Sequence, residues 1–346
     1  MHSLDGENIT KHAESIPVLI LDRFTADILE GEPIWKVDPI VVVLLHPSPL
    51  SDSDLGVKLY QSPRYGVSNR LSLRKRSHVV AALVEGNSLR STVRMTGIHR
   101  TTIQKLLADL GYACARFQDD SFQNLPCRRL ECDEIWSFVG AKDKNTSDEK
   151  RVEGWGDVWT WVALCADTKL VPSWHVGSRD GYAAKAFMDD LAGRLSNRVQ
   201  LTTDGHHAYL EAVSGAFGNE IDFAQLVKIY GDGNDGTNRK GPVKYSPARF
   251  RTARKTPVIG APSGDNVSTS YVERQNLTMR MGMRRFTRLT NGFSKKLENH
   301  CHAISLHYMY YNFCRIHQTL RITPAMAAGV TDHVWTVAEV CCLLQD

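Results

Sequence analysis

Between residues 198 and 217 a short β-branched, apolar run, Val199-Gln-Leu-Thr-Thr203, stops on Asp204-Gly205, and a helical pattern over residues 208–217 follows at once. A strand that ends on Asp-Gly places its last acid at the carboxyl edge of a sheet, where the ligands of open α/β sheets gather. Such pairs also serve as plain turns, so Asp204 gains meaning only from what else converges on it. The neighbouring His206 and His207 are expected to cap the helix.

The surrounding pattern builds a sheet around that strand. Residues 129–139 (Arg-Leu-Glu-Cys-Asp-Glu-Ile-Trp-Ser-Phe-Val) read as a strand with a carboxylate pair in its middle, followed by a hydrophilic hairpin loop at 142–151. Residues 159–169 and 170–176 make two further strands, and residues 180–195 a helix before the strand that ends at Asp204. Three meandering strands, a crossover helix and a fourth strand make a mixed α/β sheet, the element order of the ribonuclease H-like fold. Residues 268–280 and 299–315 are expected to be helical. The aromatics of the second, Tyr308, Tyr310, Tyr311 and Phe313, with His307, are read as core. Residues 228–266 show no clear periodicity and read as a long basic insertion, a length that in a compact domain is functional or disordered.

Upstream, residues 74–85, 88–95 and 100–110 carry helical periodicity. Ile103, Leu106, Leu107 and Leu110 are expected inward; Arg100, Thr101, Thr102, Gln104 and Lys105 outward. Three short helices with a glycine turn before the last form a helix-turn-helix, whose final helix enters a major groove. Its exposed residue types hydrogen-bond base edges and phosphates. A small bundle that binds nothing is the alternative. The chain thus divides into an acidic irregular extension (1–66), a helix-turn-helix domain (69–116), a linker (117–128) that begins in a loop read from Gly111, and an α/β domain (129–346).

Charge separates these possibilities. Residues 1–66 hold five Lys/Arg against ten Asp/Glu, residues 69–116 nine against two, and residues 228–296 fifteen against four. Two basic blocks around a near-neutral core point to a polyanion touched at two places. The segment 1–66 is expected to be a poorly ordered extension. No apolar run reaches the roughly 20 residues a membrane span needs, and the start lacks a signal-peptide pattern, so a cytoplasmic, nucleoid-associated protein is expected. The eight cysteines form no C-x-x-C pair and read as reduced, mostly buried thiols.

Asp133 lies mid-strand, Asp204 ends a neighbouring strand and Glu273 falls on a helix, with 70 residues between the first two and 68 between the last two. Three acids on rigid elements suit two divalent cations, which need oxygen ligands from several directions, with waters and substrate phosphates completing their shells. Each acid could instead pair with a nearby arginine.

The motifs Asp133-Glu-Ile-Trp-Ser-Phe-Val, Thr203-Asp-Gly-His-His-Ala-Tyr, Tyr271-Val-Glu-Arg-Gln-Asn-Leu-Thr-Met-Arg and the run from Met283 to His300, with the later Tyr311-Asn-Phe-Cys-Arg-Ile-His-Gln-Thr-Leu, resemble those of DDE transposases, most closely the insertion-sequence-one family. The resemblance covers about residues 69–340. It implies a metal-binding catalytic triad of Asp133, Asp204 and Glu273, two Mg2+ ions with Mn2+ as a substitute, and DNA contacts from Arg280, Arg284 and Arg285. It also implies binding of terminal inverted repeats on double-stranded DNA, strand cleavage and transfer, and a homodimer or larger synaptic complex. Three features depart from the family: residues 1–66 match nothing in it, the spacing before Glu273 is longer, and no zinc-finger cysteines precede the helices. The basic insertion supplies the extra length, where contact with transposon-end DNA is expected. A DNA-binding regulator with an inactive core and a nuclease that does not rejoin ends are the alternatives, and a strand-transfer assay separates them.

Overall fold

The computed structural model describes residues 70–231, 249–287 and 290–344. The acidic segment 1–66 and residues 232–248 of the basic insertion lie outside them.

Three helices open the described chain: α1 (Leu73–Val84), α2 (Leu89–Thr96) and α3 (Arg100–Ser121). Their shared interior is apolar, with Val79, Val80, Ile103, Leu107 and Leu110 buried. The Ser88 hydroxyl caps α2 by accepting from the Ser91 amide at 3.1 Å. Gly97, at a φ of 69°, ends it in the left-handed conformation that glycine adopts without steric penalty. The third helix is twice its expected length: it runs 22 residues, through the stretch read as a loop from Gly111. The reason is packing. Gly111 sits where α3 crosses α8 (Leu297–Met309), and a Cβ there would lie 2.5 Å from the His302 Cβ and 2.6 Å from its carbonyl oxygen. The glycine is a point of close helix approach, so its low helix propensity is overridden by the packing it permits. Below it Cys114, Ala115 and Gln118 are buried, and Gln118 Nε2 donates to the Ser305 carbonyl at 3.2 Å.

The six-stranded mixed sheet comprises β1 (Arg129–Val139), β2 (Gly156–Cys165), β3 (Ser173–Gly177), β4 (Val199–Asp204), β5 (Ile221–Gly231) and β6 (Arg249–Ile259), ordered β3-β2-β1-β4-β5-β6. β1 pairs antiparallel with β2 and parallel with β4, β4 pairs parallel with β5, and β6 returns antiparallel. β1, β4 and the two helices α5 (Gly181–Gly193) and α6 (Ala208–Phe217) stand close to their expected bounds. The hydrophilic loop carries a short helix, α4 (Asp148–Val152). Two strands go beyond the sequence expectation. β5 follows α6 directly, and β6 lies within the insertion read as aperiodic.

Strand alternation sorts the helices between the two faces. On one face Trp161 meets Phe187 of α5 and Tyr209 of α6, at ring centroid distances of 6.1 and 5.3 Å. On the other lie α7 (Ser270–Gly282) and α8, with Trp174 stacked on Tyr308 at 6.0 Å. α8 continues as a π-helical turn, Tyr310–Cys314, and the short helices α9 (Pro324–Ala327) and α10 (Val337–Cys342) close the chain. Tyr308, Tyr311 and Phe313 are buried, as the core reading of that stripe expects. All eight cysteines are free, and five are buried. Among the described residues no helix is long and apolar enough to cross a membrane.

Candidate active site

The register of β1 against β4 brings two of the expected acids together. Cys132 lies opposite Thr203, so Asp133 and Asp204 come next, side by side on the face that carries α7. Asp204 ends its strand, and there it also comes within reach of Glu134, which alternation turns toward α6. Asp133, Glu134 and Asp204 each offer a carboxylate oxygen, and these atoms all lie within 4.8 Å of one another.

Asp133 and Glu134, beside the charge of Asp204 and largely out of water, hold their protons more tightly. The Asp133 carboxyl is pushed up to about 6, first by burial and then by the charge of Asp204. Glu134 is pushed up to about 7 by the same two causes. Arg179, in the loop before α5, is the local counter-charge: its Nε lies 3.1 Å from Glu134 Oε2 and its Nη2 3.6 Å from Asp204 Oδ2. The guanidinium also covers the Trp159 ring at 4.8 Å. Asp204 Oδ1 accepts from the His206 amide at 2.9 Å, which fixes the turn after the strand.

The donor set fits a hard divalent cation. It is made of carboxylate oxygens, the ligands that Mg2+ and Mn2+ take. Glu134 Oε1 is buried without a hydrogen-bond partner, an uncommon state that calls for a cause. The Tyr209 hydroxyl is near enough to lower the Glu134 pKa, but neither atom meets hydrogen-bond geometry with the other. Asn276 Nδ2 donates to Asp133 Oδ2 at 2.8 Å, while its own Oδ1 is also unpartnered.

Glu273 stands outside the group of three. It lies on α7 one turn before Asn276 and so on the same side of the helix, and its charge acts on Asp133. Its carboxylate is engaged by the Lys228 ammonium and by the Thr269 hydroxyl, the latter at 2.6 Å. The helix itself is hung on β1: Glu131 Oε2, buried two residues upstream of Asp133, accepts from the Tyr271 and Val272 amides at 2.7 and 3.0 Å. That carboxylate satisfies two of the amides a helix start leaves free and suits the positive end of its dipole.

The expected DNA-contacting residues divide. Arg100, Thr101, Thr102 and Lys105 are exposed at the start of α3, with Gln104 half-buried beside them. Arg284 is exposed and Arg280 half-buried. Arg285 turns inward. Its Nη1 donates to Ser294 Oγ at 2.9 Å, Ser294 Oγ meets His300 Nδ1 at 2.7 Å, and His300 Nε2 meets Ser137 Oγ at 3.2 Å. Desolvation pulls Arg285 down to about 10 and His300 down to about 3. Arg285 therefore braces the fold through a buried network instead of presenting its charge. The histidines also differ from expectation: His207 occupies the N-cap position of α6 without a side-chain cap bond, and His206 stacks on Trp161 at 5.7 Å.

Sequence patterning does not single out Glu134, Arg179, Lys228 or Asn276 as site residues. Asn276 carries a usable signal, its i+3 spacing from Glu273. The others depend on the sheet edge, a loop and the continuation of β5 into the basic insertion.

No family model and no curated protein matches the chain. Among solved structures it is similar to a piggyBac transposase, in the cryo-EM structure of a synaptic complex with hairpin DNA, at 11% identity over 81% of this chain and 73% of that one. The TM-score is 0.34, too low to carry an argument about this chain.

Proposed function

We propose that the protein is a DDE transposase that binds the inverted repeats ending a mobile element and cuts and rejoins DNA with divalent metal. The observation that carries this reading is the side-by-side placement of Asp133 and Asp204 on parallel strands at the carboxyl edge of the sheet, with Glu134 in reach. The strand order β3-β2-β1-β4-β5 supports a ribonuclease H-like core, and the four motifs resembling the insertion-sequence-one family support the reaction class.

In this reading Asp133 and Asp204 hold the cations, Glu134 supplies a further oxygen, and Glu273, carried by α7 over the same face, completes the set. Bound there, Mg2+ or Mn2+ supplies Lewis acidity at a phosphodiester. Arg179 offsets the negative charge of the cluster and of an incoming phosphate. No protein side chain need form a covalent bond to DNA, because water and then the freed 3′-hydroxyl are the nucleophiles. The exposed start of α3, from Arg100 to Lys105, reads the terminal repeat, with α1 and α2 as its support. Two or more copies bring the two ends together.

Strand transfer of labelled element ends into a target plasmid tests this. Asp204→Asn should abolish the product with Mg2+ while end binding in a mobility-shift assay stays within about twofold. Full strand transfer by that variant would refute the assignment. Nicked ends that never join would instead favour a nuclease.

A further inference from the structure

Strand β4 stops at Asp204, opposite Leu226, but β5 continues to Gly231 with β6 as its only partner among the described residues. Residues 227–231 and their partners on β6 therefore leave the sheet as a two-stranded ribbon. At roughly 3.3 Å per residue it reaches about 16 Å past the acid cluster. Every residue of β6 from Phe250 to Val258 is exposed. The strand carries four basic residues and no acid.

The placement of those charges is informative. Lys255 lies opposite Leu226, and Leu226 opposite Asp204, so Lys255 is on the acids' face of the sheet. Lys228, two residues on from Leu226, is on that face too, where it meets Glu273. The ladder passes from Ile229 opposite Thr252 to Tyr230 opposite Phe250. Arg251 is thus the extra residue of a bulge, a device that re-aims a side chain. Arg254, opposite Val227, faces the other side of the ribbon from Lys255, and neither it nor Arg251 has an ion pair or hydrogen bond among the described residues. Beside them Phe250 is 58% and Ile229 42% exposed.

We infer that this ribbon is a second DNA-binding surface, separate from α3, which lies in a groove of a duplex and holds phosphates from both of its faces, just past the acid cluster. The inference rests on the proposed nuclease site for the orientation of the DNA. A two-stranded ribbon fits a major groove about 12 Å wide, and unpaired guanidinium groups suit phosphate oxygens. Charges on an edge strand also deter sheet-to-sheet pairing, but that role needs no ligand and leaves no mark on DNA binding.

The test measures binding of the full chain to a fluorescent linear duplex across a KCl series, for the wild type, Arg251→Ala/Arg254→Ala, and the corresponding double Lys variant. Both arginines are exposed and touch neither the acids nor Glu273. For each phosphate left without its arginine, the slope of log K against log[salt] should become shallower by about 0.9, so the Ala pair is expected to lose about 1.8. It should bind random and terminal-repeat duplexes more weakly by similar factors, and the Lys pair should recover most of the slope. Nicking of the same duplex with Mn2+ is read in parallel. Wild-type nicking together with an unchanged slope in the Ala pair would overturn the ribbon and leave the catalytic site standing. A shallower slope without nicking by any form would support the ribbon and sink the catalytic site. Binding by the wild type to anionic lipid vesicles and not to DNA would overturn the ribbon's assignment.

Discussion

Replacing Glu134 by Gln separates what the acid cluster does to stability from its proposed part in the reaction. Asp133 and Glu134 rise from 3.8 to about 6 and from 4.5 to about 7. Each unit corresponds to about 1.4 kcal/mol. Because both groups feel Asp204, the penalties are coupled, and stripping both protons weakens the fold by about 3 to 4 kcal/mol. The sign follows from linkage. Folded pKa values above the unfolded ones favour the fold at low pH, and that advantage is lost as pH rises through 6 and 7. The cluster therefore destabilises the protein in mild alkali. Gln keeps an acceptor for Arg179 and removes one of the two carboxylates whose ionisation the fold resists. In EDTA the variant's melting temperature should match the wild type near pH 5 and exceed it by about 3–6 °C at pH 8, taking about 2 °C per kcal/mol for a chain of this size. Millimolar Mg2+ or Mn2+ should raise the wild type at pH 8, by about 2.7 kcal/mol at a hundred times Kd, and raise the variant less. A wild-type-to-variant difference that stays flat from pH 5 to 8, or a variant that melts lower at pH 8 in EDTA, would refute the reasoning.

Other substitutions probe the supports. Gly111→Ala should destabilise by about 1–3 kcal/mol in urea unfolding, because its Cβ would overlap His302 where α3 crosses α8. Glu131→Ala leaves two amides of α7 without an acceptor and should weaken the fold by about 1–3 kcal/mol, with faster hydrogen exchange confined to the first turn of that helix. Buried His300, His302 and His307 are held down to about 3, 4 and 3, chiefly by desolvation. They stay neutral in the fold and protonate on unfolding, so stability should fall as pH drops below about 6.5, by about 1.4 kcal/mol per pH unit for each histidine. His300→Gln should make that acid slope shallower in urea titrations.

What can be read from the sequence follows from which forces are local. β4 is legible as a short β-branched, apolar run closed by Asp-Gly, and β1 because Leu130, Cys132, Ile135 and Val139 surround its acids with buried apolar positions. β6 is not: an exposed edge strand of Arg, Thr and Lys with Pro257 inside it carries no burial pattern to detect. α3 reads short because glycine normally ends a helix, and nothing local announces that residue 111 faces another helix. Asp133 and Asp204 stand out as strand acids. Glu134 is visible as half of the β1 carboxylate pair but not as a site residue, because alternation points it away from Asp133, and only the end of β4 brings Asp204 within reach of both. Arg285 looks like a free cation because its partners, Ser294 and through it His300, sit on a different segment. Lys228, which holds Glu273, lies where β5 runs past its apolar start into the basic insertion.

The anchoring of α7 on Glu131 has a mechanical consequence. The tether starts on the same strand as Asp133, one pleat away, so the distance from the helix-borne glutamate to the strand-borne acids is set by a single rigid strut and not by the long chain between them. A one-residue slip of β1 would therefore displace Asp133 and Glu273 together.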